Sequence, residues 1–148
     1  MGLLIKENPD RIMPSQGFVK EDTVEFILQC IVKGELEKLP PAPIVRKHPS
    51  RSGYVAIDGH SLLVVKSMLH ERAELYLAKS SIDYLSKKEF PKNSEESLSS
   101  RNRDLSKFES VLAKAEILQS EGIKTILDLR NKYEFLRDME SAKKHFNL

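Results

Sequence analysis

The spacing of apolar positions predicts a first helix that follows an extended N-terminal segment at residues 3–13. Asp22, with Glu25 three residues later, is typical of a helix N-terminus. Gly34 supplies a stop, because glycine tolerates a left-handed backbone. The apolar positions that recur at helical spacing between these signals are Val24, Ile27, Leu28 and Ile31.

Short apolar runs after this helix predict a small mixed sheet of three to five strands. Residues 43–47 and 53–57 form two such runs, and the polar loop 48–52 between them favours a hairpin. A helical pattern follows at once over residues 60–70, and residues 74–78 predict a further strand. Strands and helices mixed in this order predict an α+β fold with α/β-like character.

The last part of the chain is polar at first and then helical. Residues 81–97 are rich in serine and charge and predict a linker, whereas residues 98–148 predict a helical hairpin. Gly122 ends its first helix, and Thr125 with Asp128 indicates a capping box for the second. We expect its apolar stripe to pack either on the core or against a second copy of the chain in a homodimer. The stripe comprises Leu98, Leu105, Phe108, Leu112, Ala115, Ile126, Leu129, Tyr133, Leu136 and Met139.

Composition and charge narrow the class of protein. The 148 residues are 40% hydrophobic and 31% charged, which is ordinary for one globular domain. The 24 Lys and Arg residues against 22 Asp and Glu leave a net charge of +2, so bulk charge does not indicate a nucleic-acid binder. No apolar run approaches the ~18–20 residues that span a bilayer, and we expect a cytoplasmic protein with no membrane partner.

Cysteine and histidine usage predicts no metal site. Cys30 is the single cysteine and lies within an apolar pattern, so we interpret it as a buried hydrophobic residue. One cysteine excludes a disulfide within the chain and a zinc site built on cysteine ligands. The four histidines lack the spacing that is typical of zinc ligands.

Polar chemistry is concentrated where the second strand of the hairpin meets the next helix. Asp58 and Gly59 form a tight turn, and His60 and Ser61 occupy the first turn of the helix. Such a junction directs backbone N–H groups and the positive end of the helix dipole at one spot, which favours an anion. Two interpretations stay open: a capped turn with a structural histidine, or a phosphate site. In the second, Asp58 orients a metal or substrate and His60 holds phosphate or acts as an acid or base.

The order of these elements resembles the ParB/sulfiredoxin superfamily. The resemblance rests on a helix, a Pro-Pro-x-Pro-Ile-Val strand, a loop, a Gly-Tyr-x-x-x-Asp-Gly-His strand-turn-helix and a final strand, over residues 10–80. It looks closest to single-domain ParB-like proteins and implies a core of residues 1–80 with the sheet of that superfamily. It also implies that Asp58, Gly59 and His60 wrap the phosphates of a nucleotide, with Mg²⁺ as the accompanying ion.

Two positions depart from the pattern of that superfamily. A glutamate that resembles a general base in the free-serine kinases falls on Gln16, which has no titratable carboxylate but can hydrogen-bond a ligand. The arginine of the box falls on Leu62, and loss of its bidentate phosphate contact is expected to weaken nucleotide affinity unless a cation from elsewhere replaces it. Sulfiredoxin activity is excluded, because Ser61 and Leu62 occupy the region of its cysteine. The candidate replacement cations are Arg46, Lys47, Arg51, Arg101 and Arg103.

The sequence therefore predicts a ParB-like domain that binds a nucleotide or a phosphorylated small molecule. If the protein is an enzyme, the expected reaction is phosphotransfer, nucleotide hydrolysis or phosphodiester cleavage. Loss of the carboxylate at Gln16 and of the arginine at Leu62 equally fits a non-enzymatic module that binds DNA or a protein on the same scaffold.

Overall fold

The fold combines one four-stranded sheet with helices on both of its faces. The structure, a computed structural model, describes the backbone of residues 2–89 and 94–148 and the side chains of residues 2–88 and 102–148. The strands are β1 Leu3–Glu7, β2 Ile44–Lys47, β3 Tyr54–Asp58 and β4 Ala73–Leu77. The helices are α1 Glu21–Lys33, α2 His60–Met68, α3 Ser81–Glu89, α4 Ser94–Ser120, α5 Ile126–Arg130 and α6 Met139–Phe146.

The sheet is mixed, with strand order β1-β4-β2-β3. The outer pairs β1–β4 and β2–β3 are antiparallel, whereas the central pair β2–β4 is parallel. The α+β prediction is therefore confirmed, and the sheet has the expected size. The N-terminal residues expected to be merely extended include an edge strand, because β1 pairs with β4 along its whole length.

Alternate residues of the strands face two separate apolar clusters. Val45, Ala56 and Leu75 belong to the cluster that α1, α2 and α5 cover. Ile44 and Val55 belong to a second cluster on the opposite face, which α4 covers. The alternation follows from the two-residue period of a strand, and it makes the sheet the middle layer of the molecule.

The first helix begins and ends almost as expected. Gly34 has φ +70 and accepts the left-handed conformation that ends α1, as predicted. The capping pair expected at Asp22 and Glu25 is wrong, because α1 begins at Glu21 after Lys20, which makes no side-chain cap. The dipole of α1 is instead complemented by Glu21 and Asp22 in its first turn.

The segment expected to be a linker is largely helical. Residue 81 begins α3, whose start is capped by a hydrogen bond from the Asp83 N–H to the Ser80 hydroxyl at 3.1 Å. Tyr84 and Leu85 from this helix are buried. The remainder of the expected linker includes residues 90–93, which lie outside the described part, and the first residues of α4.

The structure differs from the predicted helical hairpin in the second helix. Its capping box at Thr125 and Asp128 is present, but the second helix breaks into α5 and α6. Arg130 explains the break, because its guanidinium donates at 3.0 Å to the Leu136 carbonyl and draws the chain back. Asp138 then caps α6 through the Ser141 N–H at 2.7 Å.

The C-terminal helices pack on the chain's own core. Ile126, Leu129 and Leu136 are fully buried among residues of α1 and α2, while Phe108 and Ala115 of α4 are buried against the other face of the sheet. The described part of the stripe that suggested a homodimer is thus covered within one chain. Among the described residues, no helix has an apolar stretch that would reach across a membrane.

Candidate functional site

The turn between β3 and α2 is a tight junction that only glycine fits. Gly59 has φ +92, and a Cβ on it would lie 2.7 Å from both Cα and Cβ of Pro43. The first backbone bond of α2 runs from the Leu63 N–H to the Gly59 carbonyl at 3.0 Å, and no side chain caps the helix. The N–H groups of His60, Ser61 and Leu62 therefore have no hydrogen-bond partner among the described residues.

A cavity of about 210 Å³ opens at this helix terminus, and we call it the anion cavity. The turn and the first residues of α2 form one wall. Lys20 and Thr23 at the start of α1 line a second wall, Lys107 of α4 reaches it from the opposite face of the sheet, and Gln16 lies at its edge. The turn, the start of α1, α4 and the segments that contain Gln16 and Pro40 thus converge on the uncapped end of α2, and they bring two lysines to it.

His60 is the most constrained polar side chain of this cavity. It is 5% exposed, and its Nε2 accepts a hydrogen bond from the Ser15 N–H at 3.0 Å. An accepting Nε2 carries no proton, so the proton of the neutral ring sits on Nδ1. That Nδ1–H has no partner among the described residues, yet it is not sealed from solvent. The ring of His60, which lines the cavity, therefore has a donor without a partner among the described residues and no free lone pair.

Burial keeps the His60 imidazole neutral. The pKa of His60 is lowered from 6.5 to about 4; desolvation by burial is the main cause, the charge of Asp58 opposes it, and the charge of Lys107 adds a smaller lowering. The neutral ring that the hydrogen bond from Ser15 requires is thus also the form that the electrostatics favour near neutral pH. The acid or base role expected for His60 does not fit this arrangement, because its single lone pair faces Ser15.

The depressed pKa of His60 predicts a specific loss of stability in mild acid. Between pH 6.5 and pH 4 the unfolded chain protonates His60 while the folded chain does not, so the free energy of unfolding falls as the pH falls through this window. The expected loss is about 3 kcal/mol. Urea unfolding of the wild type and of His60→Gln at several pH values measures it. The free energy of unfolding of the variant should depend less steeply on pH in this window. Equal pH dependence of the two proteins would contradict the lowered pKa of His60.

Asp58 is held ionised by three side chains from α3 and α4. Lys107 Nζ donates to Oδ1 at 2.7 Å, the Tyr84 hydroxyl donates to Oδ2 at 2.5 Å, and Lys88 Nζ lies 3.6 Å from Oδ2. Burial would raise the pKa of Asp58, but the hydrogen bonds from Lys107 and Tyr84 and the two lysine charges lower it below 3.8. Both carboxylate oxygens are engaged, so Asp58 orients these side chains rather than presenting a free base.

Tyr84 lies between Asp58 and two charged residues of α4, Arg103 and Asp104, which act on its pKa. Burial raises the pKa of Tyr84 strongly, and its hydrogen bond to Asp58 raises it further. The charge of Asp104 also raises this pKa, whereas that of Arg103 lowers it. Arg103, a predicted phosphate ligand, thus lies close enough to act on Tyr84 but does not line the anion cavity. Arg101, the other predicted ligand of this helix, lies outside the described side chains.

Gln16 and Ser61 are brought to the cavity as predicted. The Gln16 amide nitrogen donates to the Phe18 carbonyl at 2.8 Å, and its amide oxygen has no partner among the described residues. Ser61 is buried in the first turn of α2, directly beside the unpaired N–H groups. Both side chains line the cavity, and neither can take up a proton near neutral pH.

The structure does not bring the basic hairpin to the turn. The register pairs Ile44 with Asp58, so Arg46 and Lys47 lie toward the other end of β2, opposite Val55 and Tyr54. Neither lines the anion cavity. These two predicted phosphate ligands are therefore remote from Asp58, because a four-residue strand carries them away from the junction.

Arg46 and its neighbours anchor α4 instead. The Arg46 guanidinium lies 4.0 Å from the centroid of the Phe108 ring and donates to the Phe108 carbonyl at 2.8 Å. Arg51 forms two hydrogen bonds, at 3.0 and 2.8 Å, with Glu116, which also contacts His48. These contacts fix the helix that delivers Lys107.

Sequence reasoning missed the cations that do reach the cavity. Lys107 and Lys20 line it, and Lys88 approaches Asp58 from α3. The one signal available was the spacing of Arg103 and Lys107, which places two cations one turn apart on a helix. Nothing local to the sequence shows that this face of α4 meets the turn.

The groups that line the cavity suit a phosphate ligand better than a metal ion coordinated by the protein. Asp58 is the one acidic side chain among the described residues that line the cavity, and both of its oxygens are engaged. The described residues contain no cluster of three or more His, Cys, Asp or Glu side chains that would hold a metal ion. The expected Mg²⁺ therefore has no cage of protein ligands here and would be held chiefly by phosphate oxygens of a bound nucleotide.

Comparison of the chain with known proteins leaves its family open. No protein-family model, no curated protein and no solved structure matches it. The resemblance to the ParB/sulfiredoxin superfamily accordingly stays a prediction from the residues that carry it.

Proposed function

We propose that this protein binds the phosphate group of a small molecule in the anion cavity, with a nucleotide as the expected ligand. The observation that carries the proposal is the neutral His60 in the wall of the cavity, whose Nδ1–H has no partner among the described residues, together with the three unpaired N–H groups at the start of α2. Donors without a protein partner at a helix N-terminus can be satisfied by an anion, and a phosphate is the anion that such sites commonly bind.

Charge in the cavity supports an anionic ligand. Lys107 and Lys20 line the wall, and the N-terminus of α2 adds partial positive charge. Asp58 contributes one negative charge, which Lys107 and Lys88 offset. Lys107 lines the same cavity as Leu62, and we expect it to supply the positive charge that Leu62 lacks.

The volume of the anion cavity suits a phosphate group better than a whole enclosed nucleotide. Its volume of about 210 Å³ is below that of pockets enclosing a drug-sized ligand, roughly 300–1,000 Å³. A phosphate or pyrophosphate fits such a volume with room for water. The rest of a larger ligand must leave the cavity along its open side.

The arrangement favours binding over catalysis. A phosphoryl-transfer enzyme needs a group that positions or deprotonates the nucleophile. The Asp58 carboxylate is held by three donors, the His60 lone pair faces Ser15, and Gln16 has no titratable group. We therefore propose a ParB-like binding domain whose catalytic power is reduced or lost, in line with the departures at Gln16 and Leu62.

Thermal unfolding with a ligand panel tests this proposal. The panel contains inorganic phosphate, pyrophosphate and nucleoside diphosphates and triphosphates, each with and without Mg²⁺. A ligand at about 100 times its Kd should stabilise the fold by about 2.7 kcal/mol. Salt-sensitive binding of duplex DNA without any effect of these anions would favour the DNA-binding alternative instead. A melting temperature that no phosphate compound changes would refute the phosphate site.

The Asp58→Asn variant tests whether Asp58 positions the neighbouring lysines or binds a metal ion. The substitution removes a negative charge from the cavity wall and leaves Lys107 and Lys88 in place. We therefore expect it to bind pyrophosphate at least as tightly as the wild type, by calorimetric titration without Mg²⁺. A tenfold loss of affinity that appears only with Mg²⁺ would instead assign Asp58 to the ion.

A further inference from the structure

A second cavity lies on the other side of the Asp58–Gly59 turn. It measures about 490 Å³ and shares Pro40, Asp58 and Gly59 with the anion cavity. Its remaining described lining comes from the segment before β2, from Ile44 at the start of β2 and from the end of α3. The turn is therefore a common wall, and one elongated molecule can reach both spaces across Gly59.

The two cavities differ in the chemistry of their walls. The second one is lined by Pro41, Ala42 and Ile44 in addition to the shared Pro40. The charged ends of its two lysines are engaged by other groups: Lys88 Nζ lies 3.6 Å from Asp58 Oδ2 in the shared wall, and Lys87 Nζ lies 4.9 Å from the centroid of the Tyr76 ring. Lysine stems cover apolar surface when their heads are engaged in this way. We call this space the apolar cavity.

We propose that the ligand is a phosphate ester whose compact apolar or planar organic group occupies the apolar cavity while its phosphate occupies the anion cavity. This inference rests on the proposed phosphate site, and it assigns recognition of the ligand's organic group to the apolar cavity. The apolar cavity falls within the roughly 300–1,000 Å³ of pockets that enclose a drug-sized group, whereas the anion cavity does not.

The rigidity of the shared wall supports a two-part ligand. Gly59 is pressed against Pro43, and the Pro43 carbonyl accepts a hydrogen bond from the Tyr76 N–H at 2.9 Å in β4. The wall is thus tied to the centre of the sheet and keeps a fixed thickness between the cavities. Glycine at this position permits the close approach of Pro43, because a Cβ on residue 59 would lie 2.7 Å from the Pro43 Cα.

The test compares pyrophosphate with ADP and adenosine by calorimetric titration of the full chain. The organic group should make the wild type bind ADP at least about tenfold more tightly than pyrophosphate. Ala42→Trp places a large side chain in the apolar cavity and should cancel that advantage without changing pyrophosphate affinity. Ala113→Trp, on an exposed position of α4, is the matched control and should keep the advantage.

Each outcome bears on one of the two proposals. Equal affinities for ADP and pyrophosphate in the wild type would overturn the second subsite while leaving the phosphate site intact. An ADP advantage that survives Ala42→Trp would place the organic group elsewhere and would also overturn it. Binding of adenosine alone as tightly as ADP, with none of pyrophosphate, would overturn the phosphate site itself.

Discussion

Gly59→Ala is expected to lower the free energy of unfolding by about 2–5 kcal/mol, the largest effect of any single methyl group added near the site. Alanine is strained at φ +92, and its Cβ would sit 2.7 Å from the Cα of Pro43. Pro43 cannot withdraw easily, because its carbonyl is bound to the Tyr76 N–H at the centre of the sheet. Urea unfolding followed by circular dichroism measures the loss.

Gly122→Ala is the matched control for this substitution. Gly122 has φ +85, but a Cβ there would meet no atom within 4 Å. Its expected cost is about 1 kcal/mol, from backbone strain alone. The difference between the two variants isolates the contact with Pro43. Equal losses would show that Gly59 does not pack tightly against Pro43. The turn would then not be a rigid wall between the two cavities.

Lys107→Met should weaken pyrophosphate binding by about 10- to 100-fold, the range that a charge-assisted hydrogen bond of about 1.5–3 kcal/mol represents. Methionine keeps an apolar stem and removes only the ammonium group that lines the anion cavity and donates to Asp58. The pKa of Asp58 should rise as well, because burial already acts to raise it and Lys107 opposes that effect. Calorimetric titration measures the affinity, and a carboxyl carbon NMR titration follows Asp58.

Lys114→Met removes the same charge from an exposed position of the same helix. It should leave both pyrophosphate affinity and the Asp58 titration unchanged. If the two lysine variants lost affinity equally, general charge rather than a defined site would attract the anion. Melting curves of both variants show whether any loss of binding arises from unfolding instead.

Local signals in the sequence were sufficient for the centre of the fold and for the turn. The hairpin of β2 and β3, α2 and β4 each have an apolar pattern bounded by turn residues, and all four were predicted. The Asp58–Ser61 junction was found in the same way, since a strand, a glycine and a helix start are adjacent in the chain.

Features that depend on tertiary contacts were not predictable. Lys107 meets Asp58 across 49 residues, and only the packing of α4 on the sheet brings them together. Arg46 carries the charge expected of an anion ligand, but Phe108 and Glu109 take up its guanidinium. Arg130, at the end of α5, donates to the Ser67 hydroxyl of α2 as well as to the carbonyls of Leu136 and Arg137, and none of these bonds has a periodic signature.

We propose that His60 presents a neutral Nδ1–H to a bound phosphate. Nitrogen NMR of histidine-labelled protein during a pyrophosphate titration tests it directly. We expect the free protein to show the Nδ1–H tautomer of His60 with a pKa of about 4, and the Nδ1–H and Ser61 amide signals to shift as pyrophosphate saturates. An Nε2–H tautomer, or saturation that leaves both signals unmoved, would contradict the claim.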